Sequence, residues 1–554
     1  MKKTLFIMLL LAATALINSC SQDDIDTRPQ NFIDVDVIAT NFANIEGFVR
    51  GFYKYGDMYN YLTVEGSYMM ASSSDEAAES PQGSSVQRWG QGAWNALFLP
   101  ENFYNLYYQQ IRTTFIFENK ILPAIKAGIM SEQVKENFLG EAAFIRALFY
   151  FELFKRWGNF CLISKDMDTT SDDFSLPRSS QEECLGYMVA QCDLAAGKLP
   201  VTRPTTELGR ATKGAALALK SRILLYGASP LFSENNASKW AAAASAANEV
   251  IKLNVYGLYS DYQKFFITLT GNNEIVFSRI VPANNTLESF NAPVSIPNIN
   301  NRGGGCTPSL NLVDAYEMIN GTDYDWNNPT HSANPFVNRD PRFNASIIFN
   351  GSNWMTAKPV ETFVGGRDNN GQARATRTGF YLKKFLDESA VWTGQAKTTF
   401  HCFPIIRYAE VLLNYAEAMN EAYGPDADPS SFGLTARNAM TLIRNRAKLT
   451  GNQNLSSTVS IGDKTKMRDA IKRERRIELA FEEHRYFDLR RWKTPVDQML
   501  QPLMGLRIVK VQSGNFLYTP KEVENRGFDQ KMYFYPFPQN EIVRNKKLVQ
   551  NSGW

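Results

Sequence analysis

Between Ser131 and Gly158 the apolar residues Val134, Phe138, Ala142, Ile145, Phe149 and Leu153 fall at three- and four-residue steps, the spacing of a helix that buries one face. A second helix is predicted over residues 181–198, after a polar stretch that contains Pro177. The helix, turn, helix pattern returns at Arg210–Tyr226, broken by Gly227 and Pro230, followed by the alanine-rich run Lys239–Leu253. A third pair is Ile405–Tyr423, ended by Gly424-Pro425, with Leu434–Leu449 before Gly451. A fourth is Asn41–Tyr61 with Phe103–Lys120. From about 260 to 400 the periodicity fades, Asn, Gly, Pro and Thr rise, and only short pieces such as Glu274–Ile280 and Ser346–Phe349 read as strands.

The pattern therefore predicts a mainly α protein with about four tetratricopeptide-like helix pairs, although a strict repeat of roughly 34 residues is absent. Small residues such as Ala416 and Ala418 would let neighbouring helices approach closely. The reading is one domain over 41–554, with a helical scaffold (41–260 and 400–500) carrying a loop-rich insertion (260–400). Recognition residues are sought in that insertion and in the early segment 72–100.

Composition narrows the function. The 554 residues are 44% apolar and 12% aromatic, enough for a large core, and 59 basic against 56 acidic residues leave a formal charge of +3, too balanced to suggest nucleic acid. His331, His401 and His484 are scattered without a metal-ligand spacing, so neither a metal nor a cofactor is expected. At the start, Lys2 and Lys3 precede the 13-residue apolar run Leu5–Ile17, shorter than the roughly 20 residues of a membrane span and in keeping with an export signal over 1–19. Cys20 follows Ile17-Asn18-Ser19 in a pattern that resembles the lipobox of bacterial lipoproteins, which implies acylation of that thiol and a tether over 20–40. The acidic run after Ser21-Gln22 resembles a surface-export tag of outer-membrane lipoproteins. Cys161, Cys184, Cys192, Cys306 and Cys402 form no disulfide framework and are expected in the core.

The densest local signature is Ile471-Lys472-Arg473-Glu474-Arg475-Arg476-Ile477-Glu478-Leu479-Ala480-Phe481-Glu482-Glu483-His484-Arg485-Tyr486-Phe487-Asp488-Leu489-Arg490-Arg491-Trp492. Helical spacing puts Ile477 and Phe481 on one face and Glu474 and Glu478 on another, near Arg475 and Arg485. Two carboxylates could run glycoside hydrolysis, but neighbouring guanidiniums would keep both ionised, which favours an ion-pair network made by Glu474, Arg475, Glu478, Arg485, Asp488 and Trp492. This segment resembles the SusD/RagB family of surface nutrient-binding lipoproteins. So, in order, do Gly140–Ala147, Gly209–Lys213, Asn338–Phe343, Arg407–Ala418 and the terminal blocks Tyr535–Ile542 and Leu548–Trp554, where Ser552 stands in place of a common Pro. The resemblance implies the family's mostly helical fold, a lipid-anchored position on the outer-membrane surface, and a SusC-like TonB-dependent transporter as partner.

It also implies capture of an oligosaccharide or a peptide. A sugar ring offers a C–H face and a hydroxyl rim, which call for exposed Trp or Tyr flanked by Arg, Asn or Asp. Arg88, Trp89, Trp94 and Asn95 in the early loop supply that mixture, and the insertion adds Phe290, Asn291, Asn320, Trp326 and Trp354. The leading expectation is a non-catalytic glycan-binding subunit of an importer. A peptide-binding role and a surface glycosidase are the alternatives.

Overall fold

The computed structural model describes residues 34–54, 69–99, 101–167, 171–234, 236–296, 303–356, 358–369, 371, 374–391 and 397–554. Cys20 and the predicted signal segment lie outside them. The helices that build the scaffold are α1 (Phe42–Arg50), α2 (Ser85–Gly90), α3 (Tyr104–Ile116), α4 (Glu132–Trp157), α5 (Gln181–Lys198), α6 (Lys213–Ala228), α7 (Ala237–Lys252), α8 (Tyr408–Tyr423), α9 (Ala436–Arg446), α10 (Lys464–Glu478) and α11 (Arg485–Arg491). Helices α3 to α8 pack each against the next in chain order, and α8 then carries both α9 and α10. Their starts are set locally. Ser131, Thr212 and Thr435 cap α4, α6 and α9 through side-chain oxygens, and Ser180 with Glu183 forms a reciprocal capping box on α5. Gly158, at φ 74°, ends α4 in a conformation open to glycine and closed to most side chains.

The pairs expected at 131–158/181–198, 210–226/239–253 and 405–423/434–449 are all present as packed neighbours. The fourth differs. α3 lies along α4, while α1 and the turn after it reach the 103–120 segment through Phe48 and Phe52, whose rings meet Phe117 at 6.5 and 5.7 Å. Residues 405–407, predicted as helix, are strand instead, because Ile405 and Ile406 are β-branched and pair with an upstream strand before the helix begins at Tyr408.

The strands β1 (Ala77–Glu79), β2 (Ile275–Arg279), β3 (Cys306–Pro308), β4 (Ile347–Ile348), β5 (Tyr381–Leu382), β6 (Phe403–Arg407), β7 (Leu503–Lys510) and β8 (Phe516–Glu524) form four two-stranded antiparallel sheets, β1–β3, β2–β6, β4–β5 and β7–β8. The first two tie the insertion to the scaffold, and the third lies within the insertion. One hydrophobic cluster runs from Ile45 to Leu548 and includes Cys161, Cys184, Cys192 and Cys306; Cys402 is buried as well.

Candidate functional site

The signature segment folds back on itself. α10 ends at Glu478, Phe481 turns to φ 63° with its ring fully buried, and α11 starts at Arg485. Ile477 and Phe481 therefore do not share a helix face as the spacing suggested. Glu474 and Glu478 are fully buried on α10, and their partners come from far along the chain. Arg342 reaches Glu474 at 2.5 Å and Glu478 at 2.9 Å, Arg444 reaches Glu474 at 2.9 Å, and Arg407 reaches Glu478 at 2.7 Å with Arg446 beside it. Burial alone would raise both carboxyls, but these guanidiniums override it and hold Glu474 below and Glu478 well below the usual carboxylate range. Arg475, a sequence neighbour of Glu474, is instead committed to Asp488 at 2.6 Å and Asn414 at 2.7 Å. Arg491 and Trp492 grip Glu417 on α8.

Above this network opens a cleft of about 640 Å³. Its walls are α10, α11 and the turn after it, the Ser73–Asp75 loop, the end of α2, and residues 526–528 downstream of β8. Asp75 accepts both nitrogens of a fork from Arg485 at 2.8 Å and a further contact from Arg476 at 2.9 Å. Burial opposes its charge, yet Arg476 and Arg485 keep it ionised well below the ordinary value. Aromatic rings stand among the charges. Trp89 packs on Tyr486 at 4.8 Å, Arg490 lies 3.4 Å over the Tyr486 ring and 5.2 Å from Phe528, and Lys472 sits 5.0 Å over Trp492. The 526–528 strip closes on α2 because Gly527 has no side chain: a Cβ there would fall 2.0 Å from the Gln91 carbonyl oxygen.

Of the predicted binding residues, the structure brings Trp89 to the wall of this cleft with the motif residues Arg485 and Trp492, although Trp89 is itself 4% exposed and packed on Tyr486 and Tyr535. The others lie elsewhere. Trp94 is 4% exposed and stacks on Trp554 and Tyr535, Trp354 is 1% exposed, and Asn291 is buried, bonding the Leu287 carbonyl and the Cys306 amide. These three side chains fill the interior and present no face to a ligand. Arg88 is exposed over Phe98, and Asn95 is exposed with its oxygen turned to the Leu97 and Phe98 amides. Phe290 lies half-buried under Arg374. Asn320 closes a turn on Thr322, and Trp326 donates to Asp314 at 3.1 Å while packing on Tyr324. That loop adjoins the cleft wall through the Arg473 pair with Asp323.

Lys472, Arg473 and Arg476 share one face of α10 at three- and four-residue spacing, a signal present in the sequence that the network of Glu474, Arg475, Glu478, Arg485, Asp488 and Trp492 leaves out. Arg526 and Phe528 carried none, because only the fold returns that strip to α2. Among the described residues no group of His, Cys, Asp and Glu could hold a metal ion, and no helix is long and apolar enough to cross a membrane.

Comparison with known proteins places this geometry in context. Residues 273–554 match the family model described as "SusD family", and residues 22–225 match one described as "Starch-binding associating with outer membrane". SusD-like protein P38 of Formosa agariphila is 24% identical over 458 residues, covering 76% of this chain and 81% of that protein. The crystal structure of a SusD-like protein from Bacteroides fragilis superposes with a TM-score of 0.77 at 28% identity, covering 94% of this chain and 98% of that one. A laminarin-binding SusD-like protein superposes with a TM-score of 0.61 at 21% identity, over 93% of this chain and 100% of that one.

Proposed function

This chain belongs to the SusD family, and we propose that it is a lipid-anchored outer-membrane protein of the cell surface that captures oligosaccharides and delivers them to a SusC-like TonB-dependent transporter, without catalysis. The observation that carries the reading is the cleft itself: the half-buried Phe528 ring stands among guanidiniums over the buried rings of Trp89, Tyr486 and Trp492, in a volume suited to a small ligand. The Phe528 ring matches the C–H face of a sugar and the guanidiniums match its oxygens. The laminarin-binding relative and the starch-binding family model support a saccharide over a peptide.

Two arguments favour binding over hydrolysis. A glycosidase acid must carry its proton near neutral pH, whereas Glu474 and Glu478 are held ionised by four guanidiniums. The carboxylates that line the cleft are Asp75 and Asp469. Asp75 is locked between two arginines and Asp469 is exposed on α10. Glu76, pushed up to about 8 by burial and then by Asp75, is 1% exposed and does not line the cleft.

The test is calorimetric titration of protein lacking residues 1–20 with a panel of oligosaccharides, repeated with Phe528→Ala and Trp89→Ala. A stacking ring is worth about 1 kcal/mol, so the half-buried Phe528 should cost roughly fivefold in affinity when truncated, at an unchanged melting temperature. Unchanged affinity in both variants would remove the cleft from the binding site. Binding of oligopeptides with no response to any sugar would replace the glycan reading, and turnover of a labelled glycan lost in Glu474→Gln would overturn the non-catalytic one.

A further inference from the structure

The charges lining the cleft do not balance. Lys472, Arg473, Arg476, Arg485, Arg490 and Arg526 face it, against Asp75 and Asp469. Asp75 answers two guanidiniums at once, Arg473 is matched by Glu317 and Asp323, and Arg526 by Glu524. Arg490 and Lys472 have no carboxylate within ion-pair distance among the described residues. Arg490 is 5% exposed and uses Nε and Nη1 on the carbonyls of Met532 and Tyr486. Two further donors, Nε of Arg476 and Nε of Arg526, are buried without a hydrogen-bond partner.

An unpaired cation and unmet donors beside aromatic rings are costly to hold in a folded protein. A neutral sugar supplies hydroxyl acceptors but no compensating charge. A carboxylate or a sulfate ester supplies both, with paired oxygens that can accept two N–H donors of one guanidinium.

Resting on the glycan-binding reading, we propose that this cleft selects acidic oligosaccharides, with the carboxylate or sulfate group held by Lys472 or Arg490 and an adjoining ring stacked on Phe528. Lys472 lies over the buried Trp492 ring, and Arg490 faces the half-buried Phe528, the ring that a sugar could cover. The remaining positive surplus steers such ligands inward at low salt.

The experiment uses the full chain purified in detergent and matched probes: an oligogalacturonide against its carboxyl-reduced counterpart, and a sulfated galactan oligosaccharide against its desulfated counterpart. At least one acidic probe is expected to bind about tenfold more tightly than its partner, with affinity falling several-fold from about 50 mM to about 500 mM salt. The two arms tell carboxylate from sulfate. Lys472→Gln has no ion pair to lose, so at an unchanged melting temperature it should weaken the acidic probe about fivefold and by clearly more than it weakens the neutral counterpart. Equal, salt-independent binding of the acidic and neutral members of both pairs, unaffected by Lys472→Gln, overturns this proposal and leaves the glycan reading standing. Failure to bind any saccharide sinks both.

Discussion

Glu417 on α8 is the residue through which the signature segment is fastened to the helical array, and Glu417→Gln measures that fastening. Its carboxylate accepts from Arg491 at 2.6 and 2.7 Å and from Trp492 Nε1 at 2.8 Å, and it is 4% exposed. Burial pushes the carboxyl up, Arg491 and Arg475 pull it down, and the balance leaves it at about 2 against an ordinary 4.5. A difference of that size corresponds to about 3 kcal/mol of folding stability at neutral pH. Breaking one side of a buried ion pair costs about 3–5 kcal/mol by independent measure, so the two estimates agree. With an unfolding entropy near 2.1 cal/mol/K per residue over roughly 500 ordered residues, about 3 kcal/mol lowers the melting midpoint by about 3 °C.

The sign of the pH dependence follows from the depressed value. The charge-dependent stability is fully present above about 4.5 and is lost as pH falls from there towards about 2. Differential scanning calorimetry of wild type and Glu417→Gln at pH 7, 5, 4 and 3 should thus show a gap that is constant down to about pH 5 and narrows below it. A variant that melts with the wild type at pH 7, or a gap that persists undiminished at pH 3, would refute the claim that this ion pair fastens the segment.

Other outcomes can be checked the same way. Gly214→Ala, a change that usually stabilises a helix, should destabilise here, because a Cβ would meet the Tyr256 hydroxyl oxygen at 2.1 Å; a raised melting temperature would contradict it. Lys384 is pushed down to about 8 by burial, against the pull of Glu482, so wild-type stability should rise from about pH 8 towards the ordinary value of 10.5 relative to Lys384→Met in urea titrations. Cys20→Ala should abolish palmitate labelling and move the protein from the membrane pellet to the soluble fraction.

The helix pairs were legible because burial on one face writes a period into the sequence: Val134 to Leu153 gives α4 within a residue at either end. The β7–β8 hairpin was not. Gly505 and Leu506 are adjacent and both buried, which breaks the alternation on β7, and Thr519 and Pro520 are adjacent and both exposed, which breaks it on β8. The ion-pair network was legible in kind but not in partners. Glu478 is answered by Arg342 and Arg407, 136 and 71 residues upstream, and no local spacing carries that information. The same limit applies to the site. Trp89 and Trp94 are alike in sequence context, yet the first lines the cleft and the second is packed on Trp554 at the end of the chain.

Stability and recognition share one wall in this fold, which decides what substitutions can reveal. Arg485 and Arg476 face the cleft, but through Asp75 they also fix the loop that follows the Met70–Ser73 turn onto α10 and α11. Arg526 similarly spans Glu524 and the Ser74 and Ala77 carbonyls. Removing any of these guanidiniums would leave a carboxylate or carbonyls unpaired and move the walls, so a lost affinity would not separate contact from collapse. Asp75 also acts as an internal anion: it occupies the forks that a ligand carboxylate would otherwise fill, which leaves Lys472 and Arg490 as the cleft cations without a carboxylate. Of these two, Arg490 also holds the Met532 and Tyr486 carbonyls, so Lys472 is the position at which a substitution reports on the ligand most directly.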